Sequence, residues 1–351
     1  MTINNILSLF DGMSCGQIAI NKLGIKYKKY FASEIDKHAI KVCLANYPDT
    51  KQLGSVTDVK SEDLPQIDLL IGGSPCQSFS FAGKQKGMST KCNEEILTLE
   101  RYKELKQGGF EFEGQSYLFW EYVRILKETK PKYFLLENVM MSEKWEKLIS
   151  KTLGVNPIMI NSSLVSAQNR KRLYWTNIGL ETDKTDLFGG VKSIIKQPED
   201  KGILLKDVLE KEVDSKYFLS KKGVERIKSY NNSSKSLNNG DKKSMCLVAG
   251  YNKQGRDNKY VTHSLQPRNG KGIGGKGHLC KTDQKSYCVD TGNGQAIEYS
   301  SKIRRLTPIE CERLQTVPCN YTNHVSDSQR YKMLGNGWTI DVIAHILNYI
   351  K

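Results

Sequence analysis

The chain has 351 residues, enough for one large core or for a core with a smaller lobe. Its 53 Lys and Arg against 38 Asp and Glu leave a net charge of +15, a field that attracts polyanions such as nucleic acid. No apolar run approaches the ~18–20 residues of a membrane span, and the first residues lack the pattern of an export signal. The nine cysteines, without regular spacing, fit a reducing compartment. A cytoplasmic protein with no membrane partner and no metal is expected; Cys280/Cys288 and Cys311/Cys319 lack the short spacing of a zinc site.

Up to residue 180, short apolar runs alternate with helical patterns, which predicts an α/β fold. A mostly parallel, twisted sheet would be covered by helices on both faces, a Rossmann-like arrangement. Asn5–Phe10 reads as the first strand and Ile18–Leu23 as part of the following helix. Lys29–Ser33 is a second strand, and Asp36–Asn46 a helix with Asp36 as its N-cap. Ile67–Ile71 and Tyr133–Leu136 read as buried strands, with Tyr117–Lys127 apolar at helical spacing between them. Ile158–Leu164 and Leu173–Ile178 add two more strands, while 88–114 reads as an insertion without an assigned element. After residue 180 Lys, Asn, Ser and Gly become frequent, as in Asn231-Asn232-Ser233-Ser234, yet Leu247-Val248, Tyr260-Val261 and Tyr287-Cys288-Val289 predict short strands in a loop-rich lobe. Helical periodicity returns at Thr307–Leu314 and Ile340–Ile350. The expected division is therefore 1–180, an inserted lobe over 181–302, and 303–351 returning to the first domain.

Three segments carry chemistry. Asp68-Leu69-Leu70-Ile71-Gly72-Gly73-Ser74-Pro75-Cys76-Gln77 is a buried strand that ends by presenting a thiol where open α/β sheets bind ligands. Tyr133-Phe134-Leu135-Leu136-Glu137-Asn138-Val139 is a second strand ending in a carboxylate. Gln168-Asn169-Arg170-Lys171-Arg172 supplies arginines at alternate positions, on one side if the segment is extended. In addition, Gly12 and Gly16 provide a turn between the first strand and its helix, and Glu34 ends the second strand, where an acid can hydrogen-bond ribose hydroxyls.

Thiol, acid and paired arginines in this order resemble the cytosine-C5 DNA methyltransferases. The resemblance extends to Leu7-Ser8-Leu9-Phe10-Asp11-Gly12-Met13-Ser14-Cys15-Gly16, similar to the family's cofactor loop, and to two C-terminal blocks. These are Arg305-Leu306-Thr307-Pro308-Ile309-Glu310-Cys311-Glu312-Arg313-Leu314-Gln315 and Leu334-Gly335-Asn336-Gly337-Trp338-Thr339-Ile340. It implies an S-adenosylmethionine site built from Phe10, Asp11, Gly12, Met13, Ser14, Cys15, Glu34, Ile35, Ser55, Val56, Asp58, Pro75, Asn336, Gly337 and Trp338. It implies that Cys76 adds to C6 of cytosine, that Glu137 holds a proton at N3, that Arg170 and Arg172 fix the base O2 and a phosphate, and that Asn138 holds the backbone around Pro75 and Cys76. Cytosine C6 is inaccessible in a duplex, so the base must be flipped out. Ser78–Lys86, with Gly83 and Gly87 as hinges, would close over it, with Gln77 and Ser80 touching DNA.

Between Lys221 and Ser300 fifteen Lys and Arg face six Asp and Glu, a local net of +9, where the family keeps its target-recognition lobe. Arg256, Arg268 and Lys271 are the candidate double-stranded DNA contacts there. One departure stands out: Gly54-Ser55-Val56 stands where the family has Gly-Asp, and Ser55 through its hydroxyl, or Asp58 from the next turn, could accept the adenine amino group. Asn156-Pro157-Ile158-Met159-Ile160, Val165-Ser166-Ala167 and Trp338 are locally similar to the eukaryotic de novo class, while the compact chain suits a bacterial or phage modification enzyme. The family's tRNA-methylating branch, and an inactive paralogue that only binds nucleic acid, remain alternatives. A zinc deaminase does not: Phe79 stands where P-C-x-x-C needs its second cysteine, and no H-x-E precedes it.

Overall fold

The computed structural model describes residues 2–75, 88–90, 92, 94–182, 191–220, 262–264, 279–281, 295–299 and 302–350. Cys76, Gln77, Ser80, the 78–87 stretch, and Arg256, Arg268 and Lys271 lie outside the described residues. By compactness the chain forms two units. One comprises 1–160, 172–197 and 343–351; the other comprises 161–171 and 198–342.

The first unit is built on seven strands: β1 (Thr2–Leu9), β2 (Lys26–Ser33), β3 (Lys51–Gln52), β4 (Leu69–Gly73), β5 (Tyr133–Val139), β6 (Ile158–Asn161) and β7 (Lys171–Thr176). Their order in the sheet is β3-β2-β1-β4-β5-β7-β6. β1 pairs in parallel with β2 and β4, and β4 with β5, whereas β5 and β7 run antiparallel. The order reverses between β1 and β4, which sets the ligand end of the sheet at their carboxyl termini. β1, β4 and β5 are apolar runs because both faces are covered. Leu7, Leu9, Leu70, Leu136 and Trp175 join one buried cluster with Trp120, Tyr122 and Val123.

Helices α1 (Cys15–Lys22) and α2 (Lys37–Asn46) follow β1 and β2. Asp36 caps α2, its carboxylate accepting from the His38 amide, and relieves one of the orphan donors of the first turn. Within the insertion at 88–114 lies α3 (Leu99–Gln107), burying Leu99, Tyr102 and Leu105. It docks on α4 (Phe119–Thr129): the Tyr102 hydroxyl and Lys106 Nζ both reach the fully buried Glu121 at 2.6 Å. Arg124 Nε reaches its second oxygen at 2.7 Å. α5 (Glu143–Leu153) then leads to β6. The strand read over 158–164 stops at Asn161, because the Asn161 side chain accepts the Ser163 amide and starts a tight 3-10 turn.

The second unit holds a four-stranded antiparallel sheet and helices α6 (Pro308–Leu314) and α7 (Asp327–Asn336). Thr307 and Glu310 form a capping box at the head of α6. The buried Glu310 also takes the Arg304 guanidinium, at 2.7 and 2.8 Å. A last helix, α8 (Ile340–Leu347), runs from the second unit into the first. Among the described residues no helix is long and apolar enough to cross a membrane, and no group of three or more His, Cys, Asp or Glu is placed to hold a metal.

Candidate active site

Where β1 ends, the chain turns sharply, with positive φ at Phe10 (58°), Gly12 (59°) and Ser14 (68°). The Asp11 amide donates to the Ser33 carbonyl and the Ser14 amide to the Asp11 carbonyl, tying this turn to the end of β2. Glu34 follows β2 directly. Its Oε2 accepts the Gly12 amide at 2.8 Å, and its Oε1 accepts the amides of Ile35 and Asp36 at 2.7 and 2.8 Å. Three amides thus aim one carboxylate at the loop, with the exposed Ile35 side chain beside it. Met13 and Cys15 point inward and are buried. Gly16 is demanded by packing: a Cβ there would lie 2.2 Å from Ile71 Cδ1.

Asp11 is buried, and the Tyr30 hydroxyl donates to its Oδ1 at 2.9 Å. Its Oδ2 has no hydrogen-bond partner. Burial pushes the carboxyl up to about 6, although the hydroxyls of Ser8, Ser14 and Tyr30 draw it part of the way back. Beneath the loop, Gln17 Nε2 donates to Ser14 Oγ (2.8 Å) and Thr50 Oγ1 (2.7 Å), fastening the head of α1. Beyond β3, Ser55 caps the short turn Val56–Asp58; its Oγ lies 2.7 Å from Thr57 Oγ1, which donates to Asp58 Oδ1 at 3.0 Å. Both replacement acceptors are therefore joined through one threonine. Val56 is buried.

The second cluster lies at the ends of β4 and β5, where Gly73 and Glu137 are register partners. Asn138 Nδ2 donates to the carbonyl (3.3 Å) and the Oγ (3.0 Å) of the buried Ser74, one residue before Pro75. Arg172 Nε lies 3.0 Å from Glu137 Oε1, with both side chains largely buried. The reversal of the strand does this. β7 starts beside the carboxyl end of β5, so its second residue arrives at the ligand end of the sheet.

Arg170 finds different partners. It is buried in the second unit, and its guanidinium donates to the carbonyls of Gly335 (3.2 and 3.3 Å) and Gly337 (2.9 Å). The extended alternation that would put both arginines on one side breaks at this point, because β7 begins only at Lys171. Around the same turn Gln315 is the hub. Its Nε2 donates to the carbonyls of Leu334 (2.6 Å) and Gly337 (3.2 Å), and its Oε1 accepts from Gln168 Nε2 (2.6 Å) and Thr339 Oγ1 (2.8 Å). Gln168, Gln315 and Thr339 are all buried. Asn336, Gly337 and the buried Trp338 therefore sit on a turn fixed from below by polar side chains. The roles of Gln315 and Thr339 were not read from sequence, although both stand inside recognisable blocks.

The sheet order, with helices between its strands, defines a doubly wound α/β fold. Solved structures agree on the fold. A Dnmt2 mutant of Spodoptera frugiperda matches with a TM-score of 0.63 at 18% identity, covering 99% of each chain. The Entamoeba histolytica methyltransferase EhMeth matches with a TM-score of 0.62 at 16% identity over 99% and 98%. The family profile described as C-5 cytosine-specific DNA methylase matches residues 4–351, and the chain belongs to that family. It is 30% identical to the type II methyltransferase M1.ScrFI of Lactococcus lactis subsp. cremoris, over 97% of this chain and 76% of that protein. It is 28% identical to the orphan methyltransferase M.SPBetaI of Bacillus phage SPbeta, over 97% and 96%. The protein is a DNA (cytosine-5-)-methyltransferase.

Proposed function

We propose that the chain methylates C5 of a cytosine flipped out of duplex DNA at a specific sequence, with S-adenosylmethionine as donor and Cys76 as covalent nucleophile. The observation that carries this reading is the Arg172–Glu137 pair beside the Asn138–Ser74 bond, at the strand ends that lead into Pro75-Cys76. The first-unit residues fit the donor. The loop turns at positive φ, a Cβ on Gly12 would meet nothing within 4 Å, Glu34 is already aimed, and Asp11 keeps a buried oxygen without a partner. Phe10, Glu34, Ile35 and the Ser55–Asp58 turn would hold the adenosyl part there, and the resemblance adds Asn336, Gly337 and Trp338. When bound, the donor supplies an electrophilic methyl on a sulfonium.

The chain's own groups make C5 reactive. C5 of cytosine carries no lone pair, and adding the Cys76 thiolate to C6 turns it into an enamine carbon. Negative charge then builds on the ring, and Glu137 holds a proton at N3 while Arg172 binds O2 and orients the glutamate. Asn138 fixes the backbone that carries Cys76. After transfer, loss of the C5 proton breaks the C6–S bond and frees the thiolate. Arg170 serves from a distance, by holding the Gly335–Trp338 turn. The 181–302 lobe supplies sequence choice, with Arg256 and Arg268 at base edges and Lys271 at phosphate.

Duplex DNA carrying 5-fluorocytosine tests the reading, because fluorine at C5 blocks the final elimination. The wild-type protein should form an adduct that survives denaturation and requires S-adenosylmethionine, and Cys76→Ala should bind DNA without forming one. An adduct in that variant would remove Cys76 from the mechanism. Labelling of duplex DNA and tRNA side by side separates the two nucleic-acid substrates.

A further inference from the structure

We propose that Asp11 makes the site prefer the cationic methyl donor over its neutral product, S-adenosylhomocysteine, its buried carboxylate attracting the sulfonium and releasing what remains once the methyl group has left. This rests on the cofactor reading above. Donor and product differ by one methyl group and one positive charge, so shape alone gives a loop little to discriminate by. Charge does, if a carboxylate stands close and poorly compensated. Asp11 lies in the loop that this reading gives to the donor, and among the described residues no cation compensates it. It belongs to the turn itself, between Phe10 and Gly12, and is 7% exposed. Its Oδ1 has the Tyr30 hydroxyl at 2.9 Å, while its Oδ2 has no hydrogen-bond partner, and among the described residues no Lys or Arg pairs with it. Apart from Glu34, the groups around it are neutral: Gln17 Nε2 donates to Ser14 Oγ and Thr50 Oγ1, and Tyr27 donates to Gln17 Oε1 at 2.9 Å.

The groups facing Asp11 are Ser8 on β1, Ser14 at the head of α1, Tyr30 on β2, Cys43 on α2, and Glu34. Burial holds the Tyr30 phenol well above its usual range and pushes the Cys43 thiol up to about 11, so neither ionises near neutrality. Asp11, raised to about 6 chiefly by burial, does. Its attraction for a cation is present above that midpoint and lost below it, when the carboxyl is protonated. A bound cation pulls the midpoint down; a bound neutral product leaves it where it is.

Titration calorimetry of the protein with each compound tests this. From about pH 5 to about pH 7.5 the affinity for S-adenosylmethionine relative to S-adenosylhomocysteine should rise severalfold, most of it at or below the Asp11 midpoint. Asp11→Asn should show a flat ratio at the low-pH level. Tyr30→Phe keeps the charge but loses the donor that lowers the carboxyl, so its rise should move to higher pH; this arm and the wild-type titration stand even if Asp11→Asn fails to fold. A flat ratio in the wild type, an unmoved rise in Tyr30→Phe, or a rise that survives in Asp11→Asn overturns the inference and leaves the cofactor reading intact. Binding of neither compound overturns both.

Discussion

Glu137 and Arg172 form an ion pair, and in the proposed mechanism the glutamate also handles a proton. Replacing Glu137 by Gln keeps the shape and a hydrogen bond to Arg172 but removes the group that delivers a proton to N3. Such groups contribute ~10²–10⁴-fold in rate. Single-turnover methyl transfer should fall by that amount while donor binding is retained; a variant within about a factor of two of wild type would exclude Glu137 from proton delivery. Gly16 makes the opposite kind of prediction, purely structural. A methyl group there would overlap Ile71 Cδ1 at 2.2 Å and press on the Tyr30 hydroxyl at 2.8 Å. Overpacking a core in this way costs about 1–3 kcal/mol. Urea unfolding of Gly16→Ala should show the loss, and an unchanged midpoint would mean that the ends of the Ile71 and Tyr30 side chains move aside freely.

At the level of elements, the turn after α7 depends on side chains from elsewhere in its unit. Gln315→Leu keeps roughly the same volume but strands the Leu334 carbonyl and the Thr339 and Gln168 groups that the amide satisfies. A buried polar group left unpaired costs about 1–3 kcal/mol. The variant should be less stable to urea by that order and should also bind S-adenosylmethionine more weakly, since Asn336, Gly337 and Trp338 lose their support. Lower stability with unchanged donor affinity would separate this turn from the cofactor site. The contrast between Arg170 and Arg172 shows where sequence reading stops. Their alternate spacing is a strand pattern, and it says nothing of carbonyls at Gly335 and Gly337, more than 160 residues away. The strands of the first sheet apart from β3, and the Asp36 cap, were legible because burial and capping are local signals. α3 goes unassigned in the sequence although Leu99, Tyr102 and Leu105 recur at helical spacing, because it lies in an insertion outside the family blocks and its docking partner Glu121 lies in another helix. The reversal of β7 was equally hidden, since strand direction leaves no mark on periodicity.

Over the whole molecule, the +15 charge is uneven: +9 falls between Lys221 and Ser300. Phosphate contacts release counterions and make affinity fall with salt, whereas base-edge contacts decide which sequence is chosen. Alanine variants of Lys253, Arg256, Lys259, Arg268, Lys271 and Lys276 should divide accordingly. Phosphate-binding positions should weaken all duplexes alike and reduce the salt slope by roughly one each. A base-reading arginine, for which Arg256 and Arg268 are the candidates, should cost ~1–3 kcal/mol at its own base pair and relax specificity there. If all six leave the salt slope and the methylated motif unchanged, target reading belongs elsewhere.

The chain passes between its two units after residues 160, 171, 197 and 342. Neither unit is contiguous, and this governs how the protein can be born. On the ribosome, β5 emerges well before β7, so the flank of Tyr133–Val139 that β7 covers stays open while more than thirty residues are made. Unpaired apolar strand edges recruit other chains. The reversed strand that carries Arg172 to Glu137 is thus also the seal on a nascent sheet, and slow translation across 140–171 would lengthen the interval in which that seal is missing.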